Sequence, residues 1–98
     1  MAPVTGPRKP AVAGAFYPAS AESLRTLIDW CFSHPVGPGG RPTLSTRPPG
    51  QRRLLGLVCP HAGYVYSGPV AAHSYARLGQ EPQPEVVVVL GPNQRGLG

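Results

Sequence analysis

Residues 53–90 read RLLGLVCPHAGYVYSGPVAAHSYARLGQEPQPEVVVVL, and the order of apolar runs in this stretch decides the fold. Leu54 to Cys59 form a short apolar run that stops at Pro60, the length and composition of a buried strand. Ser67 or Gly68 is placed to cap a helix with Pro69 in its first turn. That helix is expected to run through Val70, Ala71, Ala72, Ser74, Tyr75 and Leu78, with Gly79 as its stop. Val86 to Leu90 are then uninterrupted and mostly β-branched, as in a parallel strand covered on both faces. Strand, helix and strand in this order make one βαβ unit with a right-handed crossover. The expected fold class is α/β, a three-layer α/β/α arrangement around a parallel-type sheet.

Upstream, Ser20 is an N-cap candidate and Glu22 sits where the positive end of a helix favours an anion. Leu24, Leu27, Ile28, Cys31 and Phe32 recur with the spacing of one buried helix stripe, and Pro35 after His34 ends it. In residues 35–51, nine of seventeen are Pro or Gly, so the segment reads as a linker-like loop whose residue identities matter little. Residues 1–10 read as a flexible tail. Two strands buried on both faces cannot stand alone. The expectation is therefore that residues 1–98 are the N-terminal part of one domain, carrying its first helix and first βαβ unit.

Composition narrows the function classes. The chain has 14 Pro and 13 Gly in 98 residues, 41% hydrophobic residues and only 13% charged ones, about half the usual charged share. The net charge of +5 raises the question of nucleic acid, but the arginines are scattered, and no basic stripe or aromatic–basic interleaving accompanies them. Nucleic acid is therefore not the expected partner. Cys31 and Cys59 show neither disulfide-framework spacing nor a CxxC pair. No secretory h-region and no membrane-length apolar segment is present, which makes the cytoplasm the expected location.

Parallel α/β sheets bind ligands beyond the carboxyl ends of their strands. Both loops expected there are rich in polar and glycine residues: 59–68, CPHAGYVYSG, and 91–98, GPNQRGLG. The same loops carry a resemblance. Pro60 to Gly68, followed by Ala71, Ala72 and Tyr75, resembles the PHAGY-x-YSG signature of the MEMO family (AmmeMemoRadiSam system protein B). Leu90-Gly91-Pro92-Asn93 resembles its LGPNH or LGPSH signature, and residues 8–18, RKPAVAGAFYP, resemble its RxPAVAGxFYP opening.

The resemblance implies a fold akin to class III extradiol ring-cleaving dioxygenases. It also implies a metal site of two histidines and a downstream residue, often cysteine, suited to Fe(II) or Cu. Bacterial members are grouped with a radical-SAM protein and an AMMECR-type protein; eukaryotic relatives are linked to receptor-driven motility and copper or iron handling. Carried onto this sequence, the first histidine ligand is His61 and the second position is Gln94. An amide oxygen is a weaker, harder ligand than a neutral imidazole, so a protein with no metal remains an open reading.

Each candidate has a plainer reading beside it. His61 is a metal ligand or general base, or a histidine that shapes its turn. Gln94 is a weak metal ligand, a substrate hydrogen-bonder, or the mark of a lost metal site. Tyr64 is a catalytic donor and Tyr66 a substrate contact, or both pack against the following helix. Asn93 and Arg95 would contact a small-molecule substrate from the second loop, or stand as plain loop polarity. Cys59 pairs with His61 as a nucleophile, or is a small buried hydrophobe, as Cys31 is on its helix. Ser67 reads as a cap, because no GxSxG elbow surrounds it. His73 reads as a surface or packing residue and His34 as a helix-end residue. The function expected is a pocket protein of dioxygenase type, a metal-dependent oxidoreductase at full length; the alternative is a non-catalytic binding or scaffold protein.

Overall fold

The computed structural model describes residues 6–92. Their order is helix α1 (Ala21–Ser33), a 3-10 turn (Pro49–Gln51) and helix α2 (Tyr64–Gly79). The start of α1 follows its sequence. The Ser20 hydroxyl accepts from the Ser23 amide at 3.3 Å, and Glu22 lies in the first turn. At the other end the His34 amide closes on the Trp30 carbonyl at 2.9 Å, and Pro35 cannot continue the ladder. The apolar stripe of α1 buries Cys31, which meets α2 at Gly68 and the Tyr64 carbonyl, while α2 buries Pro69 and Ala72.

Helix α2 begins earlier than its sequence suggests. Its N-cap is Gly63, so Tyr64, Val65 and Tyr66 form its first turn and Pro69 lies inside the helix. The Ser67 or Gly68 cap is thereby corrected. Pro69 withholds a single amide, and the turn before it is closed instead by the Tyr66 and Ser67 amides on the Gly63 carbonyl, both at 2.9 Å. Ahead of α1, residues 12–17 form a compact turn: the Gly14 amide donates to the Tyr17 carbonyl at 2.7 Å, and Ala13 and Tyr17 share an isolated bridge. Gly14 has φ +84°, a conformation a side chain would strain.

The Pro/Gly-rich segment 35–51 is not a passive linker. The Gly39 amide returns to the Phe32 carbonyl at 2.9 Å, and the Val36 carbonyl accepts from His73 Nε2 at 2.8 Å. Arg41 makes a two-pronged pair with Asp29 of α1, both bonds at 2.7 Å. The Ser45 amide donates to the Gly79 carbonyl at 3.2 Å, and a Cβ at Gly79 would stand 2.8 Å from Pro42 Cγ. Proline supplies the turns, and the arginines tie the segment to both helices.

A buried carboxylate fastens the far end. Glu81 is 4% exposed and receives Arg77 Nη1 at 2.7 Å, Arg47 Nη2 at 3.3 Å and the Arg53 amide at 2.9 Å. It joins α2, the 35–51 segment and the start of the first apolar run. The amide of Arg53 above all, with Arg77 and the Leu54 amide beside it, holds the Glu81 carboxyl down at about 2.

The two apolar runs carry no strand ladder among the described residues. Leu55 and Val58 are 99% and 95% exposed, and Val86 to Leu90 are exposed throughout. A strand exists only through its partners, and these runs do not pair with each other. Near its end the first run is held to α2 by a side chain instead: Ser74 Oγ donates to the Val58 carbonyl at 3.2 Å. Among the described residues no helix is long and apolar enough to cross a membrane.

The Glu81 network yields a pH prediction with a definite sign. The carboxyl is held at about 2 in the fold against 4.5 ordinarily, so its contribution is complete above pH 4.5 and is lost as pH falls toward 2. Urea unfolding should show a midpoint that drops across that window, and Glu81→Gln should lower stability above it while flattening the acid limb. An acid limb of the same steepness in the variant would contradict this assignment.

Candidate functional site

The site is built on the entry to α2. His61, Ala62 and Gly63 lead into the helix, and Gly63 offers no capping side chain. Ser67 instead ties down the approach to the helix, its hydroxyl donating to the Ala62 carbonyl at 3.0 Å. The adjacent Gly68 sits where α2 crosses α1. A Cβ there would collide with Cys31 Sγ, which itself lies 3.8 Å from the Tyr64 carbonyl. The glycine is thus needed for close approach, and that approach sets where the first turn of α2 stands.

That turn meets the segment before α1. The Tyr17 and Tyr64 rings are tilted at 44° with centroids 6.1 Å apart. Around them lies an open cleft of about 270 Å³, walled on one side by residues 14–18 and Leu27 and on the other by residues 63–66. Two sequence signatures more than forty residues apart therefore share one hollow. Among the described residues, the ionisable groups that line it are all phenols. Burial pushes the Tyr64 hydroxyl up, with Tyr17, Tyr75 and Cys31 adding to the shift. Tyr64 is accordingly a hydrogen-bond donor at neutral pH and not a base. Burial also raises the Cys31 thiol, which is consistent with a packing role.

The sequence candidates divide in space. Tyr64 lines the cleft and is half-buried; Tyr66 lines it too but is 86% exposed, at its rim. Both belong to α2, not to a loop. His61 is exposed in the turn before the helix and does not line the cleft. Cys59 is half-buried, its sulfur 3.9 Å from the Ala71 carbonyl on the flank of α2. Asn93, Gln94 and Arg95 lie outside the described residues. Among the described residues no group of three His, Cys, Asp or Glu side chains is gathered in a way that could hold a metal ion. A facial metal site needs three protein ligands, and His61 alone does not make one.

Sequence reasoning gave Tyr17 and Leu27 no place in the site, although both wall the cleft. The signal available was the position of Tyr17 inside the opening signature. Glu81 had no motif to mark it.

Comparison with known proteins agrees with the signatures read in the sequence. The family model described as Memo-like protein matches residues 8–98. Over 91 residues, 93% of this chain, a MEMO1 family protein of Ignicoccus hospitalis is 58% identical and one of Methanopyrus kandleri is 56% identical. A MEMO1 family protein of Metallosphaera sedula is 53% identical over the same length. The match covers 31%, 31% and 32% of these relatives, so the chain spans about a third of their length. No solved structure matches significantly.

The crossing can be tested by filling it. Gly68→Ala should destabilise the protein by roughly 1–3 kcal/mol, the usual penalty of overpacking. Adding Cys31→Ala should recover part of that loss in urea denaturation; a double variant no more stable than Gly68→Ala would show that the two residues do not meet.

Proposed function

The chain belongs to the Memo-like protein family, and on that premise we propose that it forms one wall of a dioxygenase-type pocket in a protein of its relatives' length. In that protein the runs 54–59 and 86–90 pair as parallel strands of a three-layer α/β/α domain, which gives their exposed side chains a covering. The function proposed for the whole is that of a metal-dependent oxidoreductase acting on a small molecule. The observation that carries the reading is the shared cleft, where the opening signature and the 60–68 signature face each other across Tyr17 and Tyr64 at 6.1 Å.

Within it, Tyr64 would donate a hydrogen bond to a substrate oxygen, because its phenol is held protonated. Tyr66 would close the rim, and the loop with Asn93 and Arg95 would contact the substrate from the other side. His61 is the first proposed metal ligand and Gln94 the second, with Fe(II) or Cu as the ion. The described residues contribute one imidazole to that set, so metal binding rests on Gln94 and on residues that a chain of the relatives' length would add.

A second reading is favoured by one specific observation. Gln94 stands where the family resemblance places a histidine, and a glutamine amide suits hydrogen bonding to a ligand better than holding a soft divalent ion. In that reading the same cleft serves a binding or scaffold protein without redox chemistry.

Anaerobic titration of the full-length protein with Fe(II) and with Cu separates the two. If the metal reading holds, His61→Ala weakens binding by roughly tenfold or more, and Gln94→His strengthens it by a comparable factor. Affinity that neither substitution changes would remove the metal role and leave the binding-protein reading.

A further inference from the structure

We infer that Ser67 is a positioning residue for His61, acting through the intervening backbone and not by touching a ligand; the inference rests on the reading of His61 as a pocket residue. A serine inside a helix ordinarily turns its hydroxyl back to a carbonyl three or four residues earlier, within the helix. Ser67 reaches five residues back, past the start of α2, to the Ala62 carbonyl at 3.0 Å. Its own amide holds the next carbonyl, that of Gly63, at 2.9 Å. One residue thus holds two successive peptide planes, 62–63 and 63–64, which begin one residue after His61.

The Tyr66 amide shares the Gly63 carbonyl at 2.9 Å, but among the described residues only Ser67 holds the Ala62 carbonyl. Gly63 has no side chain to cap the helix, and glycine lets the chain enter α2 at many angles. The His61 ring is exposed and takes no hydrogen bond from the other described residues. Ser67 is itself held in place, because its neighbour Gly68 is wedged against Cys31 at the helix crossing. The chain of constraint runs from Cys31 through Gly68 and Ser67 to Ala62, and ends at His61.

The test is residue-resolved carbethoxylation of the full-length protein with diethyl pyrocarbonate, read by mass spectrometry, with His34 and His73 as internal references. Losing one ordinary hydrogen bond shifts a local equilibrium by roughly fivefold. Ser67→Ala should therefore change the His61 rate by about that factor while His34 and His73 keep theirs, and Ser67→Thr, which retains the hydroxyl, should restore it. An unchanged His61 rate, an equal change at all three histidines, or no rescue by threonine would each overturn the proposal. The readout needs no ligand, so it fails separately from the pocket reading. If His61→Ala abolishes metal binding while Ser67→Ala leaves the His61 rate untouched, only the positioning role falls. If the positioning holds while His61→Ala leaves metal binding intact, only the pocket role falls.

Discussion

The contact between Cys31 on α1 and Gly68 on α2 sets how the two helices stand against each other, and the rest of the described site follows from it. Helices approach according to the size of the side chains between them, and here the meeting point offers a thiol against a glycine. Small residues let the two axes come close, which carries the first turn of α2 to the segment that precedes α1. Tyr64 then faces Tyr17, and a cleft opens between two signatures that the sequence keeps far apart. A bulkier residue at position 68 would push the turn outward and open that cleft from its base.

At the other end of α2 the constraint is electrostatic. A carboxylate with almost no exposure is tolerable only when its oxygens are fully engaged. Glu81 meets that condition with two guanidinium groups and a backbone amide drawn from three separate segments. The 35–51 segment gains its course from this network and from the Arg41–Asp29 pair, although its proline and glycine content alone suggests a slack connection. Arginines in such a segment act through distant partners, and sequence spacing does not record them.

What was legible in the sequence follows from how local each signal is. Helix α1 could be read from Ser20 to Pro35, because its cap, its stripe and its stop all lie within its own residues. Helix α2 was legible in its body but not at its start. Pro69 looks like a first-turn residue, whereas the close approach at Gly68 lets the helix extend one turn earlier through Tyr64. The family was legible from three ordered signatures. The cleft was not, because Tyr17 and Tyr64 meet only through tertiary packing. Glu81 was invisible for the same reason: nothing near it in sequence foretells burial. The two apolar runs were legible as segments, but among the described residues neither forms a strand, because a strand requires a pairing partner that neither run supplies to the other.

All of this turns on Tyr17 and Tyr64 sharing one hollow. The most direct measurement is a nuclear Overhauser experiment on the full-length protein with protonated tyrosine rings in a deuterated background. With ring centroids 6.1 Å apart, the assigned ring protons of Tyr17 and Tyr64 should show a cross-peak, and Gly68→Ala should weaken it. Assigned resonances for both rings with no cross-peak in the unsubstituted protein would mean that the two signatures do not form one cleft.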